Sequence, residues 1–180
     1  MIFGASGRVA TTSHALVTGT LAVALLDGAF AAARAAGNGR SPLMPFRAIA
    51  AGLLGSNAFR GGTPTTLLGI VMHVLIATCV VATYLYASRR LHVLARRPII
   101  CGALYGLAVY AVMYHIVIPL SALTPGRRSL SEMIPALLIH ISGVGIPAAL
   151  AARAAADTSD ASDRSDASAR GFGQVPQAEK

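Results

Sequence analysis

The sequence predicts an all-α integral membrane protein: a four-helix bundle with a short interfacial helix and a disordered C-terminal tail. Three observations predict it. Hydrophobic residues make up 54% of the 180 and charged residues only 12%, with a mean hydropathy of +0.62. A soluble domain carries about 25% charged residues, too many more for this composition to cover a soluble surface. Four apolar runs of about twenty residues or more recur along the chain, each long enough at 1.5 Å per residue to cross roughly 30 Å of hydrocarbon. The charges gather at the ends of those runs, where a bilayer tolerates them.

Residues 1–14 form a short polar segment containing Arg8. The first span is predicted over 15–36, closed by Arg34 and interrupted by Asp27. A cleaved signal peptide would share the basic start and the apolar stretch. The length of the run and the placement of Asp27 favour a retained helix. Within the loop at 37–63, Phe46, Ile49, Ala50 and Leu53 recur at i, i+3, i+4 and i+7, which predicts one apolar helical face over 45–55. Pro45 suits a first helical position. This piece is too short to span, so it is expected to lie in the interface or dip in as a re-entrant segment, with Arg47 and Arg60 among the headgroups. The polar run Gly55-Ser56-Asn57 fits a surface turn, or else a cavity mouth.

The second span is predicted over 65–87, with Thr63 as N-cap and Pro64 at the first helical position. Tyr84 and Tyr86 stand where an aromatic belt would be, just before Arg89 and Arg90. A short basic loop then leads to the third span at 98–123, with a kink expected at Pro119. Pro125-Gly126 and Arg127-Arg128 mark a turn. Ser129 and Glu132 have capping-box spacing at the start of the fourth span, 133–152. The remaining residues, 153–180, are rich in Ser, Asp and Ala without periodicity, and cannot bury enough apolar area to fold alone.

The net charge is +8, from 15 basic and 7 acidic residues, and every basic residue but Lys180 is an arginine. The arginines flank apolar runs and form no stripe interleaved with aromatics, which argues against nucleic acid as a partner and for the lipid bilayer. Arginine in place of lysine, with abundant Ala and Gly, points to a GC-rich bacterial genome. Four spans put Arg8, the 88–97 loop and the tail on one side. Four arginines in one very short loop there predict that both termini are cytoplasmic, in a bacterial inner membrane. Cys79 and Cys101 have no metal-ligand spacing and read as small buried hydrophobes. His14 and His92 fall outside the spans as interfacial residues.

One ionisable residue stands well inside each span: Asp27, His73, His115 and His140. Counted from the ends that face the 37–63 and 124–132 loops, all four lie about 10–14 Å deep. Small residues share their faces: Thr20 and Ala31 with Asp27, Gly69 and Ala77 with His73, Ala108 and Ala111 with His115, Ala136 and Gly143 with His140. Such residues serve helix contacts in membranes, so the four are expected to form one inward-facing polar layer. A carboxylate in hydrocarbon needs a partner, which imidazoles can supply, as can Arg34 seven residues on. The layer would be packing glue, a transition-metal or haem site, or a proton relay built on imidazoles that ordinarily titrate near neutrality. No cofactor is the first expectation. A second face of the third span carries Gly102 and Gly106, a close-packing pair for the bundle or for a homodimer.

The core from Gly19-Thr20 and Asp27, through 49–55 and Gly69 to His73, to His115 with Pro119-Leu120, resembles small uncharacterised polytopic bacterial inner-membrane proteins. The resemblance is one of layout and implies no activity or functional residue. No GxSxG, Walker A, HExxH or phosphate-cradling glycine loop is present in the sequence. The expectation is therefore a non-enzymatic accessory or stress-related membrane protein, with the metal, haem or proton-relay bundle as the alternative.

Overall fold

A computed structural model describes residues 3–123, 126 and 129–172. Those residues form six helices and no strand. Helix α1 is Phe3–Gly37, α2 is Met44–Leu54 and α3 is Gly62–Arg90. The short α4 is Val93–Arg96. Helix α5 runs over Pro98–Leu120 with a π-helical turn at Met113–Val117. Helix α6 begins as Leu130–Ile139, passes through a π-helical turn at His140–Gly145 and continues as Ile146–Phe172. Among the described residues, four segments are long and apolar enough to cross a membrane: Thr11–Gly37, Gly62–Arg90, Pro98–Leu120 and Leu130–Ser162. The chain is thus a multi-pass membrane protein in architecture. Pro125, Arg127, Arg128 and residues 173–180 lie outside the described residues.

Helix α6 is the hub, touching α1, α3 and α5. Its contact with α5 is made through glycine. A Cβ on Gly102 would come within 2.9 Å of the Gly145 carbonyl, and one on Gly106 would collide with the His140 carbonyl. A Cβ on Gly145 would in turn strike the Gly102 carbonyl. The pair Gly102 and Gly106 therefore packs inside the bundle, and its backbone contact is close because no side chain intervenes. Two π-helical turns lie near prolines. Pro119 and Pro147 lack the N–H that would continue the ordinary ladder, and the wider i→i+5 bonds absorb the irregularity.

Helix α2 is fastened to α3, so it is more than a surface ornament. Gly69 lets the Phe46 carbonyl lie directly on the α3 backbone. Ala50 and Ala51 are fully buried. The Arg47 Nε–H donates to Thr66 Oγ1 at 3.0 Å, so Arg47 is drawn to α3 instead of the headgroups. Leu53, expected on the apolar face, is 63% exposed. After α5, the Ala122 N–H donates to the Gly52 carbonyl at 2.9 Å and ties α2 to the far rim.

Several boundaries differ from expectation. Helix α3 starts at Gly62 behind Gly61, so Thr63 is not its cap. The hydroxyls of Thr65 and Thr66 donate back to the Gly62 carbonyl, and Thr65 also reaches the Ala58 carbonyl. Helix α6 begins at Leu130, where the Ser129 N–H donates to Glu132 Oε2 at 3.1 Å in the capping arrangement. At its other end, residues 153–172 continue as helix. Their polar composition rules out a core of their own, but elongating an existing helix avoids the nucleation cost, and alanine favours it. Arg153 and Asp157 add an i,i+4 pair at 3.6 Å.

Tyr84 does not sit in an aromatic belt. It is 1% exposed, donates to the Leu94 carbonyl at 3.0 Å and packs edge-on against Tyr105. Tyr86 is on the outside, with the Arg90 guanidinium 5.7 Å from its ring centre. Cys79 faces outward and is exposed, while Cys101 is half-buried. Outward positions of a spanning helix meet lipid, where a thiol is as acceptable as inside the bundle.

Candidate functional site: a one-ended chamber

Between the helices lies a chamber of about 970 Å³, lined by α1, α2, α3, α5 and α6. Its rim carries Arg34, Asn38, Arg40 and Glu132. Its innermost wall is made by Val23, Ala77, Val80 and Val144. Beyond them the bundle is filled by Val81, Tyr84, Leu85, Ala148 and Ala149, all buried. The chamber is thus blind toward one membrane face and open elsewhere, where Leu53 and Leu120 of its lining are exposed. From Arg34 to Val23 is 11 residues of α1, roughly 16 Å of depth.

Asp27 and His73 meet on this wall, with Nδ1 to Oδ2 at 4.0 Å. The other ring nitrogen, Nε2, lies 3.0 Å from the Ala24 carbonyl. A carbonyl can only accept, so Nε2 carries the hydrogen. Nδ1 is left facing the carboxylate. The sequence makes this approach possible at Gly28, where a Cβ would stand 3.2 Å from His73 Nε2. Phe46 of α2 packs edge-on against the His73 ring at 5.9 Å and fixes its tilt.

His140 lies on the same chamber from the α6 side. Its Nδ1 is 2.8 Å from the Ala136 carbonyl one turn back, so Nδ1 carries the hydrogen. The rings of Tyr110 and Tyr114 flank it, with centroids 5.6 and 5.8 Å away. His115 is placed elsewhere. It is exposed on the outer surface of α5, does not line the chamber, and its Nδ1 bonds the Ala111 carbonyl of its own helix at 3.0 Å. Ala108 and Ala111, which share its face, are exposed as well. Three of the four ionisable residues therefore share the chamber, and Tyr114 occupies the position on α5 where His115 was expected. The signal for Tyr114 was its i+4 repeat with Tyr110 on the face of Gly102 and Gly106.

The nitrogen and oxygen donors on this wall are few. Among the described residues, no three His, Cys, Asp or Glu side chains are grouped to hold an ion. His73 Nε2 is taken up by the Ala24 carbonyl, its Nδ1 stands 4.0 Å from Asp27 Oδ2, and His140 Nδ1 is taken up by the Ala136 carbonyl. A transition-metal centre usually draws on three or more such side chains. What the arrangement offers is a hydrogen-bonding inner wall in a largely apolar chamber.

The rim has its own order. Pro135 has no N–H, so the Ser131 carbonyl four residues earlier lacks its helical partner. An Arg34 N–H donates to that carbonyl at 3.2 Å, joining the end of α1 to the start of α6. Gly39, at φ 70°, turns the chain back so that the Arg40 N–H reaches the Ala35 carbonyl at 2.9 Å. The two arginines consequently stand at the same rim.

Comparison with protein-family models, with curated proteins and with solved structures finds no match to this chain. The likeness to small polytopic membrane proteins rests on the four spans alone.

Proposed function

We propose that the protein is a non-enzymatic accessory protein of a bacterial inner membrane that holds a small amphipathic molecule in its chamber. One observation carries this reading: α2 and all four spans line a single chamber that is apolar over most of its wall, polar at Asp27, His73 and His140, and blind at one end. Concave, mainly apolar sites with a few convergent polar groups are where small molecules bind. The volume lies at the upper end of the usual range of about 300–1,000 Å³. A proton relay across the membrane is less well supported, because buried Val81, Tyr84 and Ala148 stand between the Asp27–His73 pair and the second face. The dense arginines of the 88–97 loop favour cytoplasmic termini, which turns the chamber mouth toward the periplasm.

The test uses cysteines introduced one at a time as Ala31→Cys and Met113→Cys, both on the chamber wall, with His115→Cys outside it, in a Cys79→Ser/Cys101→Ser background. Thiols react as thiolates, which form in water and not in lipid. A charged maleimide is expected to label the two chamber positions from the periplasmic side and to spare position 115. Added octanol is expected to slow labelling at position 113. Chamber cysteines that stay unlabelled, or labelling indifferent to octanol, would remove the binding reading. Labelling only from the cytoplasmic side would reverse the orientation.

A further inference from the structure

We infer that the occupant of the chamber is a free single-chain amphiphile with an anionic head, a long-chain carboxylate being the simplest, held head-outward by Arg34 and Arg40. This rests on the binding reading above and names the class of ligand.

The charge at the rim decides the head. Three charged side chains stand there among the described residues: Arg34, Arg40 and Glu132. The Glu132 carboxylate is engaged by the Ser129 N–H. Arg34 spends one of its five N–H donors on the Ser131 carbonyl and keeps the rest. Arg40 makes no side-chain hydrogen bond or ion pair among the described residues and is exposed at the rim. Two guanidinium groups beside one engaged carboxylate favour an anion, which a fork of N–H donors can grip through two oxygens.

The wall below decides the body. Phe30, Ile49, Val117 and Ile118 present apolar surface from α1, α2 and α5. Met44, Met72 and Met113 add flexible thioethers, which adapt to a chain without fixed shape. The depth of roughly 16 Å matches the extended length of about a dozen methylenes. The chamber's 970 Å³ is within the roughly 300–1,000 Å³ that one small ligand usually occupies. Asp27 lies seven residues of α1, about 10 Å, below Arg34, beside His73 with Nδ1 4.0 Å from Oδ2. A cationic head would have to pass two guanidinium groups to reach it.

The experiment compares three twelve-carbon probes, dodecanoate, dodecanol and dodecylamine, by the concentration that protects Met113→Cys from maleimide in lipid nanodiscs. Dodecanoate is expected to protect at about tenfold lower concentration than dodecanol in the parent protein. In Arg34→Gln/Arg40→Gln that advantage should vanish while dodecanol protects as before, which cancels differences in partitioning into the disc. Arg40→Gln alone removes no side-chain hydrogen bond or ion pair among the described residues and should lose about threefold for dodecanoate. An unchanged preference in the arginine variants, or dodecylamine protecting best, would overturn the anionic assignment while leaving the chamber a binding site. Dioleoylphosphatidylglycerol competing as well as dodecanoate would overturn the single-chain assignment. Failure of every probe on an accessible cysteine would instead remove the binding reading itself.

Discussion

The Arg34 guanidinium donates to the main-chain carbonyl of Ser131 at 3.2 Å, across the mouth of the chamber. That carbonyl is free because Pro135 cannot supply the helical N–H. The bond therefore depends on a residue that neither partner touches in sequence. Pro135→Ala should give the carbonyl back to its own helix and release Arg34. In a double-mutant cycle read by unfolding in detergent, Arg34→Gln should cost about 1 kcal/mol in the parent and roughly half that or less beside Pro135→Ala. Strict additivity would mean that the two residues are not coupled.

His73 and Asp27 make a second coupled pair. His73→Ala leaves the carboxylate half-buried with no imidazole beside it and should lower stability by about 1–3 kcal/mol. Adding Asp27→Asn should recover part of that loss, since the amide carries no charge to desolvate. His115→Ala, on the outer surface, should change stability by less than about 0.5 kcal/mol. An equal loss at positions 73 and 115 would contradict the placement of these rings.

The glycine contact between α5 and α6 is the least forgiving part of the bundle. A methyl at Gly106 or Gly145 would meet backbone, which cannot swing aside as a side chain can. Gly106→Ala and Gly145→Ala should each destabilise by about 2–3 kcal/mol. Gly37→Ala, with nothing within 4 Å of the new methyl, serves as the control. Comparable melting of all three would show that the helices can part at no cost.

The helical extension after the fourth span is separable from the bundle. Ala155 still packs on the core, whereas Asp160, Ala161 and Ser162 are exposed. A stop after Ser162 should leave the melting temperature within about a degree or two of the full chain, the scale of a change below 0.5 kcal/mol. A stop after Pro147 removes the buried Ala148, Ala149 and Ala152, and should prevent a monodisperse fold from being recovered.

The spans were legible because a twenty-residue apolar run has few other uses, and the inward aim of Asp27, His73 and His140 because buried small residues share their faces. The same rule misled at His115. Ala108 and Ala111 are small enough for a helix contact and apolar enough for lipid, so they do not tell the two faces apart. Glycine does tell them apart, since Gly102 and Gly106 have nothing to offer lipid and much to offer a neighbouring backbone. The proline-released carbonyl of Ser131 was readable in principle, but its partner lies 97 residues away and no local pattern names it. Helix beyond residue 152 was hidden for another reason. Composition reports whether a segment can bury a core, and says little about a segment that inherits its first turn from a neighbour.

The glycine junction also sets the mechanics of the chamber. Helices α5 and α6 touch backbone to backbone at Gly106 and Gly145, and from there each reaches toward the mouth, 14 residues to Leu120 and 15 to Leu130. Those are two lever arms of about 21 and 22 Å on a common fulcrum. Each arm contains a π-helical turn, so each can flex along its length. A rotation of about 5° at the junction would move the mouth by about 2 Å over arms of that length. Tongs of this kind widen at the tip while the grip at the pivot, and the dry core behind it, stay as they are.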